Sequence, residues 1–206
     1  MEFSEIVQQR RSIKSYLPDK EISDAELKEL MQEVVLSPSS FNLQHWTFIA
    51  VRDNSLKEKI QAAAWGQEQV LTCSVLLVVC GKLNAYQDAP EIYKDTPQGI
   101  QEKVLPIIKD FYDGKGQLQR DEAIRSASLA AMILMLAAQN RGWATVPMIG
   151  FDPEAVSKLA NLRPNYIPAM LMTLGYKKDD PRPRDYRRPI EEIVRINTLD
   201  GPGLMG

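Results

Sequence analysis

Residues 127–138 read Ala-Ser-Leu-Ala-Ala-Met-Ile-Leu-Met-Leu-Ala-Ala, apolar on nearly every side of a helix. Such a helix cannot lie on a wet surface; it has to be packed all round, at the centre of the molecule. The run is too short for a membrane span, which takes ~20 residues, so no membrane partner is expected. One small domain can only just cover a helix like this, and extra burial by a second subunit would help. The helix is expected over 123–140, with Gly142 as its C-terminal cap.

The remaining elements follow from capping and periodicity. Phe3 to Gln9 reads as a short helix. Ser23 and Glu26 form a capping box ahead of Leu27, Leu30, Met31, Val34 and Val35, and Pro38 stops that helix. Ser55 and Glu58 repeat the signature before a third helix. Gln98 to Tyr112 is expected to be helical, broken or kinked at Pro106. Asp152-Pro153 opens a further helix. Strands are expected at Trp46–Val51, at Pro168–Leu174, and at Ser74–Cys80, whose unbroken apolar run suits burial on both faces. Residues 142–152 read as an apolar turn between two helices, 84–97 as a variable segment or lid, and 197–206 as a loose tail or arm. Helices alternating with a few covered strands predict a layered α/β or α+β fold, with 1–206 forming a single domain.

Several kinds of chemistry are excluded. With 206 residues, 44% hydrophobic and 25% charged, the chain is globular and not disordered. Lys and Arg number 25 against 27 Asp and Glu, a net charge of −2, which argues against nucleic acid as a partner. The N-terminal MEFSEIVQQRRS lacks a signal-peptide pattern, and two cysteines do not staple a secreted fold, so a cytoplasmic protein with buried thiols is expected. The single histidine, His45, rules out metal sites needing two imidazoles, and Cys73 and Cys80 are wrongly spaced for a metal; none is expected. Gly201-Pro-Gly203-Leu-Met-Gly206 matches a dinucleotide-binding string but has no strand before it or helix after it. No Walker A loop and no nucleophile elbow occur. If the chain is an enzyme, a bound cofactor brings the reactivity.

Four segments remain as candidates. Arg10-Arg11-Ser12-Ile13-Lys14-Ser15 gathers three cations and two hydroxyls, which suits a phosphate or extended anion, or simply a solvated basic turn. Pro38-Ser39-Ser40-Phe41-Asn42, running on to Trp46, offers hydroxyls and amides to a planar heterocycle, although a plain loop would look the same. Gly142 to Asp152, with Pro147 and Gly150, could place backbone amides against a flat group, or be a tight connection. Lys177 to Arg188 holds six cations (Lys177, Lys178, Arg182, Arg184, Arg187, Arg188) against Asp179, Asp180 and Asp185.

One pattern unites them. RRSIKSY, PSSFNLQHW, AAWGQEQVL, VPMIGFD, LGY and RPRDYRRPIEE, in this order over nearly the whole chain, resemble the FMN-dependent nitroreductase family of NAD(P)H oxidoreductases. His45 departs from it, standing where the family usually has proline; a packed or exposed imidazole is expected there.

The resemblance implies an α+β fold with a central mixed β-sheet flanked by helices, and a C-terminal arm wrapping onto the partner subunit of a homodimer. It implies tightly bound, non-covalent FMN at the interface and NAD(P)H as co-substrate. Arg10, Ser12 and Lys14 would hold the phosphate and the polar flavin edge, with Arg11 assisting, and Lys14 would also tune the redox potential. Pro38, Ser39, Ser40 and Asn42 would reach in from the partner. Gln67 and Gln69 would meet the pyrimidine edge. Pro147, Met148, Ile149 and Gly150 would line one flavin side, with the backbone N–H of Ile149 or Gly150 aimed at N5. Arg184, Arg187 and Arg188 would close on the phosphate, Arg187 and Arg188 being favoured. Hydride would pass from NAD(P)H through N5 to a small-molecule acceptor, a nitroaromatic, a quinone or the like, by a ping-pong scheme with no catalytic side chain. The alternatives within the fold are a dehalogenase, an enone reductase or a flavin-consuming enzyme; outside it stands a flavin-binding or sensing protein without turnover.

Overall fold

The computed structural model describes residues 2–204. Its helices are α1 (Phe3–Gln9), α2 (Asp24–Val34), α3 (Asn54–Ala63), α4 (Gln69–Thr72), α5 (Ala89–Ile92), α6 (Gln98–Tyr112), α7 (Gly116–Asn140), α8 (Pro153–Leu159) and α9 (Ile190–Ile193). The strands are β1 (Trp46–Val51), β2 (Val75–Lys82), β3 (Ala144–Met148) and β4 (Tyr166–Gly175), in the spatial order β1-β2-β4-β3. All three strand pairings are antiparallel. A parallel contact comes from an isolated bridge between Ser12 and Thr145 at the β3 edge. The result is the expected α+β architecture.

Side-chain alternation builds the core. Val75, Leu77 and Val79 of β2 face a cluster containing Leu30 and Val34 of α2 and the small residues Ala127, Ala130 and Ala131 of α7. Leu76, Val78 and Cys80 face the opposite cluster, with Ile60 of α3 and Val156 of α8. Every β2 residue up to Gly81 is buried, as its apolar run requires. The alanines of α7 let the helix come close to the sheet: a Cβ on Gly81 would lie 2.7 Å from the backbone oxygen of Ala123.

Several local expectations hold. Ser23 Oγ accepts from Glu26 N at 3.2 Å while the Glu26 carboxylate accepts from Ser23 N at 2.8 Å. Asp152 caps α8, accepting from Glu154 and Ala155. Gly142, at φ 75, ends α7, and Trp143 N–H turns back to Ala138 O.

Others are corrected. Asp53, not Ser55, caps α3, accepting from Leu56 N at 2.7 Å; its carboxylate also sits well at a helix N-terminus. α6 runs through Pro106 without a break, since Ile108 and Tyr112 beyond it are buried and anchor the last turn. α7 begins at Gly116, because its first turns are polar and carry no apolar signal. The turn expected at 142–152 contains strand β3. Pro147 disguised it, yet β3 is an edge strand, where the missing N–H costs little. Segment 84–97 is no loose lid: it forms a 3-10 turn at Ala85–Asp88 and then α5, and packs Ala85 and Ala89 into a third cluster with Leu43, Ile108 and Tyr112.

Beyond β4 the chain is mostly exposed from residue 177 onward, with Tyr186, Ile190, Ile193, Val194, Ile196, Leu199 and Leu204 facing solvent. The expected tail thus starts well before 197, and its last two positions, 205 and 206, lie outside the described residues. Among the described residues no helix is long and apolar enough to cross a membrane.

Candidate functional site

Sheet edges decide which candidates meet. The extended stretch after α1 lies along β3 and the exit of β4. Ile13 N donates to Thr145 O (3.1 Å), Leu17 N to Tyr176 O (2.9 Å), and Lys178 N to Ser15 O (3.0 Å). Tyr16, 2% exposed, locks this stretch by sharing a 2.6 Å hydrogen bond with Thr173 and packing against Gly175. The two basic segments, near opposite ends of the chain, are thereby laid side by side.

Between them runs a groove of about 610 Å³, lined by Arg10, Arg11, Ser12, Lys14, Arg184 and Arg187 among others. Arg184 Nη2 donates to Gln8 O (2.7 Å) and Arg10 O (3.2 Å), and Arg11 Nη2 to Arg182 O (2.8 Å). Arg187 Nη1 donates to the carbonyls of Asp185 and Tyr186. These contacts orient guanidinium groups without neutralising them. The acids of the groove are engaged elsewhere: Asp179 with Ser15 Oγ (2.6 Å), Asp180 with Lys177, and Asp185 with Arg182 (3.2 Å). Among the described residues none of Arg10, Arg11, Arg184 or Arg187 pairs with a carboxylate. Arg10 feels this directly. Burial first, then the neighbouring Arg184, Arg11 and Arg187, lower its pKa below the ordinary arginine value. Such a cluster fits an anion. Arg188 does not line the groove.

A second group assembles where β3 ends. Gln67 Nε2 donates to Gly150 O (2.8 Å), while Gln69 Nε2 reaches Gln67 Oε1 (2.8 Å) and Met148 Sδ (3.1 Å). Asp152 N donates to Ala63 O, tying the same two turns together. The indole of Trp65 lies against Gly150, where a Cβ would be 3.1 Å from its ring. Trp65 is 74% exposed and Ile149 83%, two apolar side chains open to solvent. Trp65 was not singled out by sequence reasoning. The Trp-Gly pair closing α3, left-handed at both residues, is the signal that could have flagged Trp65. Pro147 and Met148 pair with Met172 and Leu171, so β3 places the 147–150 turn on the same strand that carries Thr145 beside the basic groove.

The third group stays apart. Pro38, Ser39, Ser40 and Asn42 precede β1, at the sheet edge opposite β3, with β2 and β4 between. Within one chain this loop is not part of the groove. Ser39 Oγ accepts from Gln44 N (2.9 Å), and Ser40 Oγ accepts from Tyr112 OH (2.8 Å).

His45 takes the packed fate. It is 1% exposed, its ring 5.9 Å from that of Tyr112 and its Nδ1 3.4 Å from Ser126 Oγ. Burial holds its pKa below the ordinary histidine value, opposed by Glu122 and Asp88. Burial likewise pushes Cys73 up to about 11 and Cys80 to about 12, so both stay thiols.

The model of the Nitroreductase family matches residues 7–176. The chain belongs to the nitroreductase family. It is 42% identical over 207 residues to MhqN of Bacillus subtilis (strain 168), a protein named as an NAD(P)H nitroreductase, covering 94% of this chain and 98% of that one. A crystal structure of the nitroreductase ydfN from Bacillus subtilis superposes with a TM-score of 0.91 at 40% identity, covering 94% and 98% of the two chains. A nitroreductase of Exiguobacterium sibiricum 255-15, solved in complex with FMN, superposes at 0.88 with 30% identity, covering 94% and 96%. Membership makes this nitroreductase-family chain an oxidoreductase.

Proposed function

We propose that the protein is an FMN-dependent NAD(P)H oxidoreductase that works as a homodimer with flavin at the subunit interface. The observation that carries this reading is the cation-lined groove whose four arginines have no carboxylate partner among the described residues. It fits a phosphate monoester, the one strongly anionic part of FMN. Arg10, Ser12, Lys14, Arg184 and Arg187 hold that phosphate and the polar flavin edge, with Arg11 assisting; Arg188 is left out because it lies off the groove. Further along β3, the Gln67–Gly150 turn suits a flat, amide-bearing ring: Gln67 and Gln69 meet its polar edge, and Pro147, Met148 and Ile149 flank it. The backbone N–H of Ile149 or Gly150 would serve the hydride-accepting nitrogen of the bound flavin. When bound, FMN supplies two-electron chemistry, taking hydride from NADH or NADPH and delivering it to a nitroaromatic, quinone or similar acceptor in a ping-pong cycle. The chain's own task is to bind, orient and provide the electrostatic field.

Two features support a second subunit. The Pro38–Asn42 loop lies at the wrong sheet edge to serve its own groove, so it serves the partner's. The exposed apolar side chains of 186–204 need a cover, and an arm laid on a second copy supplies it.

The test is the absorbance spectrum of purified protein before and after anaerobic NAD(P)H. A yellow protein that bleaches, and recovers its colour with a quinone or nitroaromatic, is expected. A colourless protein that takes up no added FMN overturns the reading.

A further inference from the structure

The loop that carries Ser39, Ser40 and Asn42 is strained. Phe41, Asn42 and Gln44 have φ of 51°, 54° and 49°, left-handed values in a stretch without glycine. Conformations of this kind persist only where surrounding structure imposes them. Two tyrosines outside every recognised motif do so. Tyr93 OH, just after α5, donates to Phe41 O at 3.0 Å, and Tyr112 OH, at the end of α6, donates to Ser40 Oγ at 2.8 Å. The Phe41 ring packs edge-on against Phe111 and Tyr112 at 5.8 and 6.4 Å. Tyr112 is itself immobilised: it is 1% exposed, stacked on Tyr86 at 6.0 Å, and close to the His45 ring.

We propose that Tyr112 and Tyr93 are positioning residues, holding the Ser39–Asn42 loop in its strained form and fixing the direction of the Ser40 hydroxyl. This inference rests on the reading that the loop reaches FMN bound in the partner's groove. In the 2.8 Å bond the Tyr112 hydroxyl is the donor. Ser40 Oγ accepts that hydrogen bond, which leaves its own hydrogen free to point away from Tyr112. Ser40 is thus offered to a bound molecule as a donor. The segment 84–97 and α6 act as a buttress behind the loop, and their aromatic residues matter to binding without touching the ligand.

A double-mutant cycle tests this by titrating apoprotein with FMN and following flavin fluorescence. Tyr112→Phe keeps the ring in its stack and removes only the hydroxyl. It is expected to raise the FMN Kd about five- to tenfold in the wild-type background, the scale of one lost hydrogen bond. In a Ser40→Ala background the same substitution is expected to change Kd less than about twofold, because its partner is already gone. Tyr93→Phe, acting on a different atom of the loop, is expected to raise Kd about threefold, a smaller loss of the same kind. Wild-type apoprotein that takes up no FMN overturns the cofactor reading and this inference with it. Wild-type protein that binds FMN, with Tyr112→Phe matching its Kd or costing the same with and without Ser40, overturns the positioning role alone.

Discussion

Gln67 and Gly150, 83 positions apart in the chain, are joined by a 2.8 Å hydrogen bond from the glutamine amide to the glycine carbonyl. That bond ties the turn after α3 to the turn after β3, the two surfaces proposed to meet the flavin ring. Gln67→Leu leaves the half-buried Gly150 carbonyl without this donor and frees the 147–150 turn. Thermal unfolding of the apoprotein is expected to report a loss of about 1 kcal/mol. Unchanged stability would show that the two turns are held by their other contacts, the Asp152–Ala63 backbone bond, Gln69 to Met148 and Trp65 against Gly150.

Arg10 is surrounded by Arg184, Arg11 and Arg187, and its pKa is lowered by burial and by those neighbours. Removing it relieves repulsion among the arginines of the apoprotein while taking away a partner for the phosphate. Arg10→Ala is therefore expected to leave apoprotein stability unchanged or slightly higher, and to raise the FMN Kd by about tenfold or more. Melting curves and flavin titration on one preparation check both. Equal losses of stability and affinity would reduce the cluster to a structural role.

Gly81 sits where β2 passes α7, with the Ala123 backbone oxygen 2.7 Å from any Cβ placed there. Neither the strand, paired on both sides at Gly81, nor the helix backbone can yield cheaply. Gly81→Ala is expected to destabilise by about 1–3 kcal/mol in denaturant unfolding. Gly99→Ala, where a Cβ meets nothing within 4 Å, serves as the control and should be neutral or mildly stabilising.

His45 carries a folded-state pKa below its ordinary value because burial opposes its charge, with Glu122 and Asp88 pulling the other way. The unfolded chain therefore binds the proton more readily. The stability this group contributes is fully present above the ordinary histidine pKa and is lost as pH falls through the folded value. The melting temperature should drop between about pH 7 and pH 5, and the drop should shrink in His45→Asn. Parallel pH profiles for the two proteins would mean that other groups control acid stability.

The sheet and helices were legible where chemistry is local. The capping box at Ser23 and Glu26, the all-apolar β2 and the apolar α7 depend on neighbouring residues, and each appears as expected. β3 was not legible, since Pro147 forbids a central strand and only the finished sheet reveals that this strand is an edge. The tyrosines at 93 and 112 belong to no motif, and their bonds to the 40–41 loop join residues 52 and 72 positions apart.

The amino-acid order alone settled the family, the locally signalled helices and strands and the supply of cations near both termini, because short-range spacing and side-chain chemistry encode these. Folding decided that Ser12 docks on Thr145, that Lys178 returns to Ser15, and that Asp179, Asp180 and Asp185 pair with other groups while, among the described residues, four arginines go without a carboxylate. It also put the 38–42 loop at the far edge of the sheet. Which charges meet depends on strand order and register, and no spacing along a chain specifies those.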